Sequence, residues 1–140
     1  FGGKVATLLN PKTLVLLSTS GILVPKSFKV RSKIALFKLL KPFGFLNIRR
    51  FFASSDVLGM SQVMYETFKN VVDEDFEDSF KNFKNQALIF WGKDDTATPL
   101  YTGEKISQII NNSKFFPLDG DHYFFTKHSS FIEKELNANI

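Results

Sequence analysis

Two short stretches of the chain are apolar without interruption, and they constrain its fold more than any other feature. Thr13–Leu17 has the sequence TLVLL and Ala87–Trp91 has the sequence ALIFW. Continuous runs of β-branched, aliphatic and aromatic residues are typical of strands that are buried on both faces of a parallel sheet. A third run, Lys114–Leu118, contains Pro117 and is predicted to form a strand at an edge of the sheet.

Helical patterns separate the predicted strands. Gly3–Leu9 is predicted to form a helix before the first strand. Another helix is predicted to begin at Pro99, with Thr98 as its N-cap, because proline suits the first helical position. Strands that alternate with helices predict an α/β protein with a doubly wound, mostly parallel sheet.

The predicted organisation is a core of residues 1–21 and 86–140, interrupted by a helical insertion over residues 22–85. The insertion contains amphipathic patterns in which apolar residues recur at helical spacing. The last pattern is a stripe of phenylalanines, which we interpret as a packing face and not as part of a cofactor site. The patterns are Ile34 with Phe37 and Leu40, the stretch Ser61–Val72, and Phe76 with Phe80 and Phe83.

The composition excludes several kinds of site. The 140 residues include no cysteine, which excludes disulfides and thiolate metal sites. With His122 and His128 as the only histidines, a histidine-based zinc site is not expected. No apolar run is long enough to span a bilayer, and the expected location is the cytoplasm, with a signal before Phe1 left open.

The charges are distributed unevenly along the chain. Residues 1–55 contain basic residues but no acidic one, and all 14 acidic residues follow from Asp56 onwards. Such asymmetry is found in proteins that bind nucleic acids or membrane surfaces. The bases are spread out and lack a pattern of exposed aromatic residues, so we expect no nucleic-acid partner and favour pairing with an acidic protein surface.

Residues that can carry acid–base chemistry follow two of the predicted strands. Asp94 and Asp95 follow the second strand, and His122 follows the third. Because the carboxyl ends of parallel strands meet at one edge of the sheet, an acid and a histidine there can form the orienting half of a nucleophilic triad. From these residues alone, turn-forming acids and a packed or surface histidine remain the alternative.

The segments WGKDDTATP and DGDH resemble the C-terminal half of the α/β-hydrolase superfamily. Residues 54–92 resemble the passage from helical cap to core in its carbon–carbon-hydrolase-like and esterase-like members. The resemblance implies the last three strands of a doubly wound, mostly parallel sheet. It places the family's catalytic acid on Asp95, with Asp94 as the second candidate, and the catalytic histidine on His122 in preference to His128.

The first residues, FGGK, resemble the end of the family's nucleophile elbow, G-x-S-x-G with one further glycine. Gly2 and Gly3 match the last glycine and its extension, and Phe1 matches the residue between serine and glycine. The resemblance implies a nucleophile immediately before Phe1. It also implies that the Phe1 backbone N–H donates a hydrogen bond to the oxyanion. We therefore expect that an N-terminal half of the same fold pairs with these residues, either as a preceding part of the same protein or as a separate chain.

The implied function is a hydrolase that uses a Ser-His-Asp triad, without a cofactor, on an ester, thioester or activated carbon–carbon bond of a small apolar substrate. One alternative is a protein of the same fold that binds a small ligand without catalysis. Another is a dehalogenase-like or epoxide-hydrolase-like relative with an aspartate nucleophile. A basic, amphipathic membrane- or nucleic-acid-associated protein is the third.

Overall fold

A computed structural model describes residues 2–24, 61–72 and 74–139. Phe1 and the helix predicted around Ile34, Phe37 and Leu40 lie outside the described residues. The chain forms two compact units, one of residues 1–23 with 74–140 and one of residues 24–73. The predicted insertion boundaries, 22 and 85, differ from these limits and stay a prediction.

The first unit is built on three parallel strands. They are β1 (Thr13–Leu17), β2 (Gln86–Gly92) and β3 (Ser113–Leu118), in the order β1-β2-β3. Both pairings are parallel, and Ile89 of β2 lies between Leu16 of β1 and Phe115 of β3. The predicted α/β fold is confirmed for the part of the chain that the structure describes, with β3 paired on one side to β2.

The first two helices lie close to their predicted positions. The first begins and ends one residue earlier than predicted. The second begins after Ser61, whose hydroxyl accepts a hydrogen bond from the Met64 N–H at 3.2 Å, as an N-cap does. The helices are α1 (Gly2–Leu8), α2 (Gln62–Val72), α3 (Glu77–Asn82), α4 (Leu100–Ile109) and α5 (Ser129–Asn139), with a 3₁₀ turn at Phe124–Thr126.

Strand β2 is the centre of the core. From Ala87 to Gly92 every residue is buried, because both faces of this strand are covered. On one face Ala87, Ile89 and Trp91 pack with α3 and α4, and on the other Leu88 and Phe90 pack with the 3₁₀ turn and α5. The continuous apolar run therefore predicts this strand correctly.

Strand β1 differs from its prediction. Leu14 and Leu16 are buried, whereas Val15 is half-buried and Leu17 is exposed. In the cluster that contains Phe124 and Ile132, the buried strand residues come from β2, and Val15 of β1 packs against it only partly buried. An uninterrupted apolar run thus predicts the strand but not which of its faces the described residues cover.

The phenylalanine stripe is a packing face, as predicted. Phe76, Phe80 and Phe83 are buried in the same cluster as Leu14 and Leu16 of β1. Phe76 and Phe80 meet edge to face, with ring centroids 5.3 Å apart. This burial assigns the segment that contains α3 to the unit of the sheet.

The chain leaves and re-enters this unit at neighbouring points. The Phe76 N–H donates to the Gly21 carbonyl at 2.9 Å. This hydrogen bond joins the segment on which the chain leaves the unit to the segment on which it returns. Lys4 of α1 is buried, and its ammonium donates to the Glu74 carbonyl at 3.0 Å. Helix α1 is thereby fixed to the segment on which the chain returns to the sheet.

Gly3 is required by close packing, and adjacent Gly2 offers a matched control. A Cβ on Gly3 would lie 2.7 Å from Thr19 Cβ and 3.1 Å from Leu16 Cδ2, whereas among the described residues nothing lies within 4 Å of a Cβ on Gly2. We expect Gly3→Ala to lower the free energy of unfolding by about 1–3 kcal/mol, measured by urea denaturation of the full-length protein.

The Gly2→Ala control should change that free energy by less than about 0.5 kcal/mol, because no described residue lies within 4 Å of the added methyl carbon and alanine favours the helix. Equal effects of the two substitutions would contradict the packing assignment of Gly3.

Candidate active site

The loops that follow the three strands are joined by backbone hydrogen bonds. The Ser18 N–H donates to the Phe90 carbonyl at 3.0 Å, across β1 and β2. The Lys93 N–H donates to the Leu118 carbonyl at 2.8 Å, and the Asp94 N–H to the Gly120 carbonyl at 3.0 Å. The pairing between strands thus continues past their carboxyl ends, and the three loops open on one edge of the sheet.

Gly92 allows the loop after β3 to cross the end of β2. A Cβ at this position would lie 2.7 Å from the Gly120 carbonyl oxygen and 3.0 Å from the Asp121 carbonyl carbon, both of them backbone atoms. A side chain at residue 92 would therefore push away the loop that carries His122. Glycine is needed here for close backbone approach, not for turning the chain.

Trp91 fixes the loop after β2. Its side chain is fully buried, and its indole Nε1–H donates to the Thr98 carbonyl at 2.7 Å. The residues between Trp91 and Thr98 are thus held at both ends, which places Asp95 above the end of the strand.

The Asp95 carboxylate is buried and closely hydrogen-bonded. The residue is 4% exposed. Its Oδ1 accepts hydrogen bonds from the Ala97 N–H at 2.8 Å and the Thr98 N–H at 2.9 Å. Its Oδ2 accepts from the Thr98 hydroxyl at 2.7 Å and lies 2.8 Å from His122 Nδ1. A buried carboxylate requires such partners, since leaving one unpaired is costly.

His122 faces the carboxylate with one nitrogen. With Asp95 ionised, Nδ1 carries a proton and donates it to Oδ2, so that Nε2 of the neutral ring is the basic nitrogen. No residue in the described part of the chain forms a hydrogen bond with Nε2. The side chain is 41% exposed, and the Tyr123 ring meets it edge to face with centroids 5.7 Å apart.

The environment of Asp95 favours its ionised form. Burial acts to raise the pKa of the Asp95 carboxyl. Hydrogen bonds from the Thr98 backbone, from His122 and from the Thr98 hydroxyl outweigh burial and hold this pKa below its ordinary value of 3.8. The carboxylate is therefore negatively charged at neutral pH, as the orienting member of an acid–histidine pair must be.

The two rival residues lie outside this pair. The Asp94 side chain is exposed, and only its backbone N–H takes part in linking the loops. His128 Nε2 lies 2.8 Å from the Asp119 carbonyl oxygen, and the His128 carbonyl accepts from the Ile132 N–H at the start of α5. The structure thus brings together Asp95 and His122, and their catalytic roles stay a prediction.

The predicted elbow residues lie near the same edge. Gly2 and Gly3 begin α1, and Gly3 packs against Thr19, the residue after Ser18. The Ser18 hydroxyl accepts from the Gly92 N–H at 3.3 Å. The start of α1 therefore contacts the loop after β1 that borders the Asp95 site, while Phe1 lies outside the described residues.

Thr98 and Ser18 are site residues that the sequence analysis missed. Thr98 was predicted as the N-cap of α4, and this prediction is wrong. Pro99 is the N-cap residue, and the Thr98 hydroxyl binds Asp95 and not the start of the helix. The available signal was the spacing of Asp95 and Thr98, since an aspartate often accepts hydrogen bonds from the next two or three backbone N–H groups.

Among residues 2–24, 61–72 and 74–139, no group of three or more histidine, aspartate or glutamate side chains is placed to hold a metal ion. None of the helices formed by these residues is long and apolar enough to cross a membrane.

Comparison with solved structures identifies the arrangement as the C-terminal part of an α/β-hydrolase fold. A serine hydrolase involved in carbazole degradation matches with a TM-score of 0.65 and 18% identity, over 98% of this chain and 59% of that one. The enol-lactonase from Burkholderia xenovorans LB400 has a TM-score of 0.62 and 20% identity, over 98% of this chain and 61% of that one.

A hydrolase from Pseudomonas aeruginosa PA01 matches with a TM-score of 0.63 and 19% identity, over 97% of this chain and 60% of that one. The chain thus spans about three fifths of the length of these structures. No protein family and no curated protein matches it by sequence.

Ionised Asp95 should stabilise the fold in a pH-dependent way. Because its folded pKa is depressed, this stabilisation is complete above the unfolded pKa of about 4 and is lost as pH falls through the folded pKa. We expect Asp95→Asn to lower the free energy of unfolding by about 1–3 kcal/mol at pH 7. The difference from wild type should shrink below about pH 4.

The measurement is urea denaturation of the full-length protein at several pH values, followed by circular dichroism. Asp94→Asn is the control, and it should have little effect because the Asp94 side chain is exposed. A difference between wild type and Asp95→Asn that stays constant from pH 7 to pH 3 would contradict the prediction.

Proposed function

We propose that this chain supplies the aspartate and histidine of a Ser-His-Asp triad in an α/β-hydrolase. The observation that carries the proposal is the 2.8 Å contact between His122 Nδ1 and the buried Asp95 Oδ2. Both residues follow adjacent parallel strands, where α/β proteins bind their ligands.

The pair has the properties that a general base needs. Asp95 fixes the tautomer of His122, so that Nε2 can accept a proton from a nucleophilic hydroxyl. As the imidazole becomes protonated, the adjacent negative charge stabilises it. Nε2 later returns the proton to the leaving group, which completes the transfer without a cofactor.

The nucleophile is proposed to be a serine immediately before Phe1, within the N-terminal half of the same fold. The close packing of Gly3 on Thr19 supports this placement, because it brings the start of α1 to the loops that carry the pair. The Phe1 backbone N–H would be one donor to the oxyanion, as it follows the nucleophile directly.

The proposed substrate is a small apolar molecule with an ester, thioester or activated carbon–carbon bond. Acyl transfer of this kind needs a nucleophile, a base and an oxyanion site, and the chain provides the base with its orienting acid. A serine hydrolase and an enol-lactonase are among the proteins whose fold is similar, which agrees with acyl chemistry.

A fluorophosphonate probe tests the proposal, because it labels a serine only when that serine is activated. In the full-length protein, His122→Ala and Asp95→Ala should each slow labelling by about 10³-fold or more, since the residues of a triad act as a unit. Labelling rates are measured by gel fluorescence on folded protein, with circular dichroism as the check of folding.

The rival residues provide matched controls. Asp94→Ala and His128→Ala should retain most of the labelling, because neither side chain contacts the pair. Unchanged labelling in both His122→Ala and Asp95→Ala would exclude the triad. Absence of labelling in the wild-type protein would instead favour an aspartate nucleophile or a ligand-binding protein without catalysis.

A further inference from the structure

Thr98 uses all three of its polar atoms at the candidate active site. Its N–H donates to Asp95 Oδ1 at 2.9 Å, and its carbonyl accepts from the Trp91 indole at 2.7 Å. Its hydroxyl lies 2.7 Å from Asp95 Oδ2, 3.1 Å from the Ser18 carbonyl oxygen and 3.4 Å from His122 Nδ1. The side chain thus contacts both members of the pair.

The hydroxyl has a single proton, and the distances assign it. The carboxylate oxygen is nearer than the Ser18 carbonyl and is charged, so the proton is donated to Asp95 Oδ2. Oδ2 then accepts two close hydrogen bonds, from Thr98 and from His122, and Oδ1 accepts two from backbone N–H groups. Rotation of the carboxylate would break several of these bonds together.

We propose that Thr98 is a positioning residue for the Asp95–His122 pair, its hydroxyl holding Oδ2 at the place from which it orients the imidazole. This inference rests on the proposed function. Thr98 does not touch reacting atoms and acts through Asp95.

The role of the hydroxyl is separable from that of the backbone. The loop is held through the N–H and carbonyl of Thr98, which a change of side chain leaves in place. Thr98→Val keeps the shape of the side chain and replaces the hydroxyl with a methyl group. Oδ2 then loses one of its two close donors, and the carboxylate becomes freer to turn away from Nδ1.

The expected effect falls on turnover and not on substrate binding. The orientation of His122 matters when a proton moves in the transition state, whereas the substrate need not contact Thr98 to bind. Loss of a hydrogen bond to a charged group corresponds to a decrease of about 10- to 100-fold in kcat. KM should change little.

The test uses hydrolysis of p-nitrophenyl butyrate by the full-length protein. Thr98→Val should lower kcat as stated, and Thr98→Ser, which retains the hydroxyl, should restore most of it. Thr102→Val is the matched control, because the Thr102 hydroxyl donates to the Pro99 carbonyl at 2.7 Å and not to the pair. That control should retain wild-type kcat. Thr98→Ala provides a second variant without the hydroxyl if the valine variant fails to fold.

A spectroscopic readout is independent of turnover. The His122 Nδ1 proton, followed by ¹H NMR, should exchange with water faster in the hydroxyl-free variant than in wild type or Thr98→Ser. An unchanged exchange rate in a folded hydroxyl-free variant would overturn the inference, whatever the turnover.

The kinetic outcomes separate the two proposals. If His122→Ala abolishes turnover but the folded hydroxyl-free variant retains it, the triad stands and the role of Thr98 is overturned. If kcat falls and Thr98→Ser does not restore it, the methyl group is responsible and the inference again fails. If His122→Ala retains turnover, the proposed function fails, and proton exchange alone decides whether Thr98 positions the pair.

Discussion

The structure around the candidate site depends on one buried negative charge. The Asp95 carboxylate lies beneath the surface at the end of β2, where it must be hydrogen-bonded because an unpaired buried carboxylate is costly. The backbone of Ala97 and Thr98, the Thr98 hydroxyl and the His122 ring meet this requirement. The same contacts that satisfy the charge therefore also orient the histidine.

Those contacts require that two loops from different strands approach closely. Trp91 holds the first loop through its indole hydrogen bond to Thr98, and Gly92 leaves space for the second. Backbone hydrogen bonds from Lys93 and Asp94 then join the loops beyond the strand ends. In the segment WGKDD, Trp91 thus holds the first loop, Gly92 leaves space for the second loop, and Asp95 provides the buried carboxylate.

Much of the core could be predicted from sequence because the signals are local. The run ALIFW marks β2, and the spacing of Phe76, Phe80 and Phe83 marks a packing face, since burial follows directly from apolar periodicity. The incomplete burial of Val15 and Leu17 could not be predicted, because the burial of a strand residue depends on elements distant in sequence. Thr98 is a different case, because its partner Asp95 lies three residues earlier and is as local as the helix for which a threonine before Pro99 predicts an N-cap.

The sequence by itself determined the parallel α/β arrangement and the order in which Asp95 and His122 follow their strands. Parallel pairing then dictates that both residues emerge at one sheet edge. Only the tertiary structure decided that Asp95, and not Asp94, meets His122, and that Thr98 and Ser18 belong to the site. The contact of Asp95 with His122 and that of Thr98 with Ser18 are hydrogen bonds between loops, and such contacts arise only when separate strands are brought side by side.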